Sequence, residues 1–154
     1  MTSAGKETKY PLPFDASGLT PHEPPILMVE TIESYDDDAK SAVIGLEIRG
    51  DNPFLSEGGL LRREAMIEIM AQAAAAQDGF NVLRDGGNPG EKGFLVSVSN
   101  FAVERDLRVG DALEVSVELG PEFDALSVVY CGIRGKDGGK IASAELTVWK
   151  KRGN

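Results

Sequence analysis

A glutamate set inside an otherwise apolar helical stretch is the first place where this chain could do chemistry. In the segment Glu64-Ala65-Met66-Ile67-Glu68-Ile69-Met70-Ala71-Gln72, Glu68 has Ile67 and Ile69 as neighbours, and Gln72 follows four residues later on the same helical face. Loss of water around a carboxylate penalises its ionised form, so these surroundings favour a protonated side chain that can deliver its proton to a departing hydroxyl. The same pattern also allows a glutamate turned to solvent. His22 is the single histidine, so any imidazole chemistry must use it. It stands between prolines in a stiff, extended segment, where a structural or surface histidine is the competing reading. Gly58 and Gly59, with Leu60 after them, precede the apolar stretch. Unpaired N–H groups at a helix start there could bind a thioester carbonyl and make the adjacent carbon acidic, although a glycine pair is equally a flexible loop.

Other chemistries find little support. Cys131 is the only cysteine and lies in the apolar run 127–133, where an inert buried thiol is expected, and no disulfide can form within the chain. One histidine and one cysteine do not make a usual metal-ligand set, so no metal is expected. The glycine-rich run 86–90 lacks the lysine and the strand-to-helix setting of a phosphate-binding loop. Asp36, Asp37 and Asp38 read as a solvated turn, and no nucleophilic serine motif is present.

The elements that must position these residues follow from periodicity. Apolar runs at 26–32 and 42–48 read as strands, separated by the aspartate turn. The one long helix is expected from about Leu60 to Leu83: its middle is free of glycine and proline, and Ile67, Met70, Ala71, Ala74 and Ala75 recur at three- and four-residue spacing. Ala73 and Ala76 make the opposite side small. A helix this apolar, with strands before and after it, is expected to be wrapped by a sheet. After a loop at 85–93, strands are expected at 94–103, 113–119, 123–134 and 141–149, with turns at 108–111 and 137–139. This is an α+β plan in one domain, about residues 18–152, preceded by a polar, proline-containing tail or arm at 1–17.

The chain has 154 residues, 42% of them hydrophobic, which suffices for one core without staples. A formal charge of −9 opposes binding to nucleic-acid phosphates. An acidic partner would need a local basic patch, and the sequence offers Arg62 with Arg63, Arg105 with Arg108, and Lys150-Lys151-Arg152. No run approaches the ~20 apolar residues of a membrane span, and residues 1–9 lack the apolar core of a secretory signal. A cytoplasmic protein is expected.

Over about residues 19–150 the chain resembles the 3-hydroxyacyl-(acyl carrier protein) dehydratases of the hotdog superfamily. The resemblance rests on Leu19-Thr20-Pro21-His22-Glu23-Pro24-Pro25-Ile26-Leu27-Met28-Val29-Glu30, on Asn52-Pro53-Phe54, on Ile67-Glu68-Ile69-Met70-Ala71-Gln72-Ala73-Ala74, and on Val109-Gly110-Asp111. It implies a hotdog fold, an antiparallel sheet around one long helix, assembled as a homodimer, a hotdog heterodimer or a higher oligomer with sites between two helices. It also implies a role in lipid metabolism such as fatty acid biosynthesis. The substrate would be a thioester carried on the phosphopantetheine of acyl carrier protein or coenzyme A, with no resident cofactor. Glu68 matches the family's catalytic acid and Gln72 the polar residue following it, expected against substrate. The loop ahead of the helix departs from the family: where usual members carry a histidine, this chain reads Leu55-Ser56-Glu57-Gly58-Gly59-Leu60. It is similar in this to a divergent branch that keeps a leading His-x-x-Pro, here His22 to Pro25, some of whose members pair with a second hotdog subunit. Three activities follow as expectations: dehydration of a 3-hydroxyacyl thioester to a trans-2-enoyl product, a non-catalytic acyl-binding or partner subunit, and thioester hydrolysis.

Overall fold

The fold is taken from a computed structural model that describes residues 10–90 and 93–150. Residues 1–9 of the expected arm at 1–17, loop residues 91–92, and Lys151 with Arg152 lie outside the described residues. Seven strands form one antiparallel sheet: β1 (Phe14–Asp15), β2 (Thr31–Asp36), β3 (Ser41–Glu47), β4 (Gly93–Val103), β5 (Ala112–Phe123), β6 (Leu126–Gly135) and β7 (Lys140–Lys150), in the order β1-β2-β3-β5-β6-β7-β4. One helix, α1 (Glu64–Arg84), packs against β3, β5, β6 and β7. Alternation drives the wrapping. In β5, Leu113, Val115 and Val117 are buried while Glu114, Ser116 and Glu118 are less enclosed, so one face of this strand meets the helix and the other meets water. The core joins those residues to Ile32, Ile44, Leu46, Val129, Ile133 and Leu146 from the sheet and to Met66, Ile69, Met70 and Phe80 from α1.

Several boundaries differ from the sequence reading for identifiable reasons. The helix begins at Glu64 rather than Leu60, because Leu60 and Leu61 are held in bridges to Arg108 and Leu55. The first long strand begins at Thr31 rather than Ile26, since the backbone of residues 26–28 is bonded to a helix side chain instead of a strand (below). Phe123 ends β5, and Asp124, with φ 55°, turns the chain before β6. The small residues Ala73 and Ala76 face the core, whereas Ile67, Ala71 and Ala75 lie on the half-open side of α1. Apolar residues spread around most of the helix leave no dominant stripe by which sequence could choose that side.

The N-terminal arm is partly core. Phe14 and Asp15 pair with β2, Ala16 is fully buried, and Tyr10 and Phe14 pack on Phe80. The aspartate turn also does more than meet solvent. Asp37 accepts two hydrogen bonds from Arg84 (3.1 and 2.9 Å), whose guanidinium lies 4.3 Å from the Tyr35 ring centroid, while the Tyr35 hydroxyl donates to Asn81. This clasp ties the last turn of α1 to the β2–β3 hairpin, and burial pushes the Tyr35 hydroxyl up to about 12. Cys131 is buried beside the Met70 carbonyl, and desolvation raises its thiol to about 12, as suits an inert group.

Gly79 shows how closely the arm meets the helix: a Cβ there would lie 2.1 Å from the Leu19 carbonyl oxygen. Gly79→Ala would gain about 1 kcal/mol of helix propensity but must displace backbone, an overpacking cost of about 1–3 kcal/mol. A lower urea midpoint than wild type is expected. An equal or higher midpoint would show that this contact is not tight.

Candidate functional site

Glu68 sits in the second turn of α1, on the side that the sheet leaves half-open, and its carboxylate faces the imidazole of His22. His22 Nε2 lies 3.6 Å from Glu68 Oε2, with the two side chains 33% and 36% exposed. That spacing is longer than a hydrogen bond but within the reach of an ion pair. The other ring nitrogen, Nδ1, is enclosed and has no hydrogen-bond partner among the described residues, so proton exchange with anything outside must pass through Nε2. The histidine is held locally by its own backbone N–H, which donates to Thr20 Oγ1 at 3.1 Å. The sequence reading thus named two residues 46 positions apart that the fold brings face to face.

Gln72 is placed differently from the expectation. Rather than facing substrate, it is fully buried, and both ends of its amide are bonded inside the chain. Its Oε1 accepts the Met28 N–H at 2.7 Å, while its Nε2 donates to the Ile26 carbonyl and to Glu68 Oε2, both at 2.9 Å. Only the i, i+4 spacing to Glu68 was readable beforehand. The partnership with residues 26 and 28 joins groups more than 40 positions away and leaves no trace in local pattern.

Gly58, Gly59 and Leu60 do not form the start of the helix. They lie in a turn four or more residues before it: the Gly59 N–H donates to the Ser56 carbonyl (3.0 Å), and its carbonyl accepts from Val109 (3.1 Å). These are therefore not the orphan N–H groups of a helix terminus. No hydrogen bond among the described residues links them to His22, Glu68 or Gln72. The same bridging draws together the two arginine pairs, yet Arg63 is paired with Asp106 (2.7 Å) and Arg105 with Asp111 (3.8 Å), so much of that charge is neutralised. A cleft of about 400 Å³ opens beside the leading segment, between Pro24, Pro25 and Met28 on one side and Glu47, Arg49 and Asp51 on the other; its walls do not include His22 or Glu68. The acid–imidazole pair instead lies on the open helix face.

Substituting Gln72 by leucine would orphan the buried Met28 N–H, whereas the Ile26 carbonyl, on a half-exposed residue, can turn to water. An unsatisfied buried group costs about 1–3 kcal/mol, so a loss of that size in unfolding free energy is expected for Gln72→Leu. Urea titration by circular dichroism measures it, and a loss well under about 1 kcal/mol would mean that water or a shifted backbone satisfies the Met28 N–H.

Comparison with known proteins gives this geometry a context. The ApeP-like family model, described as ApeP dehydratase, matches residues 14–153. Among solved structures, the dehydratase heterocomplex ApeI:P from Xenorhabdus doucetiae aligns with a TM-score of 0.81 at 19% identity, over 90% of this chain and 92% of that one. A hypothetical thioesterase with coenzyme A from Streptococcus pneumoniae TIGR4 aligns with a TM-score of 0.59 at 16% identity, over 78% and 84%. The PaaI protein from the phenylacetic acid degradation operon of E. coli aligns with a TM-score of 0.56 at 11% identity, over 82% and 80%. No curated protein matches by sequence. At such identities the structural likeness is one of fold, the sheet-wrapped helix of the hotdog proteins. The family model spans nearly the whole chain, and the chain belongs to the ApeP-like dehydratase family.

Proposed function

We propose that this chain dehydrates a 3-hydroxyacyl thioester, presented on the phosphopantetheine of a carrier protein or coenzyme A, to the trans-2-enoyl thioester. The observation that carries the reading is the facing of His22 Nε2 and Glu68 Oε2 at 3.6 Å on a half-open helix face. In this scheme Nε2 takes a proton from C2 of the substrate. The electron pair of that C–H bond becomes the C2–C3 double bond, the C3–O bond breaks, and Glu68 protonates the leaving hydroxyl to give water. One base and one acid account for the whole elimination.

The same reading includes a second hotdog subunit. Ile67, Ala71 and Ala75 leave the helix side around Glu68 only partly covered. At one end of the sheet, β4 has a free edge on which consecutive apolar residues Phe94, Leu95 and Val96 are 53%, 43% and 57% exposed. An exposed apolar edge strand invites pairing with another chain. A partner pairing there would extend the sheet, and one that also covered the open helix side would dry the carboxylate, which favours a proton donor. The solved ApeI:P dehydratase is itself a heterocomplex. That favours a further reading, in which this chain serves as the partner subunit, because the loop ahead of α1 carries no histidine. Thioester hydrolysis ranks third: it has structural neighbours in its favour, but no observation on this chain selects it.

Turnover of a 3-hydroxyacyl carrier substrate, followed by enoyl absorbance, should fall by about 10²–10⁴-fold in Glu68→Gln and in His22→Asn. Undiminished rates in both would reject the assignment. Activity that arises only on adding a second hotdog chain would favour the partner-subunit reading, and release of free thiol would favour hydrolysis. Val96→Lys, which charges the β4 edge, is expected to shift the assembly to monomer in light-scattering chromatography. Persistence of the wild-type mass would place the interface elsewhere.

A further inference from the structure

The orientation of the Gln72 amide is determined by its surroundings. A backbone N–H needs an acceptor, so the group facing Met28 N–H at 2.7 Å must be Oε1, and the NH₂ end is left to reach the Ile26 carbonyl and Glu68 Oε2. The leading segment is not extended throughout: Pro24, Pro25 and Ile26 form a turn in which the Leu27 N–H donates to the Glu23 carbonyl at 2.9 Å. Where the chain leaves that turn, a helix side chain bonds the Ile26 carbonyl and the Met28 N–H. His22 lies four residues before Ile26, and Pro24 and Pro25 between them leave few backbone rotations to absorb a shift.

We propose that Gln72 is the positioning residue for both members of the site: it holds Glu68 directly and His22 through the backbone of residues 26–28, and it selects the glutamate oxygen that carries the transferable proton. Oε2 accepts the Gln72 N–H, so a neutral Glu68 bears its proton on Oε1, the oxygen left free for a substrate hydroxyl. The catalytic consequence rests on the dehydratase reading; the geometric one does not.

That separation guides the test. Because His22 is the only histidine, its imidazole ¹⁵N signals in the intact protein report its position without any turnover. Gln72→Met removes the polar functions at similar volume, and Gln72→Glu keeps the shape but supplies a donor only while protonated. Glu68→Gln gives the spectrum of an imidazole without its carboxylate neighbour. Expected results are that the Gln72→Met spectrum moves toward that of Glu68→Gln, and that Gln72→Glu, whose protonated carboxyl supplies one of the two donated bonds, lies nearer to wild type at low pH and departs further from it as pH rises. With an active wild type, kcat in Gln72→Met should drop by about 10²-fold while KM stays within about twofold. An unmoved imidazole spectrum in folded Gln72→Met overturns the proposal, as does an unchanged kcat in an active protein. If Gln72→Met does not fold, a Gln72→Glu spectrum that follows wild type at every pH overturns it. A wild type that is inactive, with the spectral shifts present, removes the dehydratase reading and keeps the positioning role.

Discussion

One buried amide joins the two parts of this molecule that its site requires. Gln72 projects from the middle of an apolar helix, where an unpaired polar group would be costly, and it is tolerated because the leading segment offers one donor and one acceptor at the right spacing. The need is mutual. Met28 is buried, and without Gln72 its backbone N–H would be orphaned. The interaction therefore fixes where the leading segment crosses the helix, and with it the placement of His22 opposite Glu68.

Around that clamp the rest of the fold supplies rigidity. The sheet buries the far side of α1, the Arg84–Asp37 clasp secures its last turn to the β2–β3 hairpin, and the aromatic contacts of Tyr10, Phe14 and Phe80 fasten the arm. Gly79 removes a side chain where Leu19 must pass. These features lie away from the acid–imidazole pair, yet each limits rotation or sliding of the helix that carries Glu68. A site built on packed elements keeps its geometry better than one built on loops.

The single chain leaves two surfaces incompletely satisfied: the helix side bearing Ile67, Glu68, Ala71 and Ala75, and the apolar edge of β4. Both cost free energy when left in water, and both are of the kind that association removes. A one-third-exposed carboxylate is screened and hydrated, and enclosure by a second subunit would remove much of that water.

Much of this was legible in the residues. Alternating runs announced the strands, the glycine-aspartate turns joined them, and the long stretch free of glycine and proline announced the helix, because these signals are local and repeat with the period of the element that they form. Glu68 stood out because a charge inside an apolar run is locally anomalous, and His22 because it is the only imidazole. Other features depended on which distant backbone groups meet. Leu60 was drawn out of the helix by a bridge to Arg108, residues 26–28 out of a strand by Gln72, and Asp37 out of solvent by Arg84. The side of α1 that would face the sheet was also undetermined, since its apolar residues are spread around most of the helix and carry little phase. Hydrogen bonds and packing between residues 40 or more positions apart are settled only when the chain closes on itself, so only the tertiary structure could show that Gln72 is a clamp and that His22 meets Glu68.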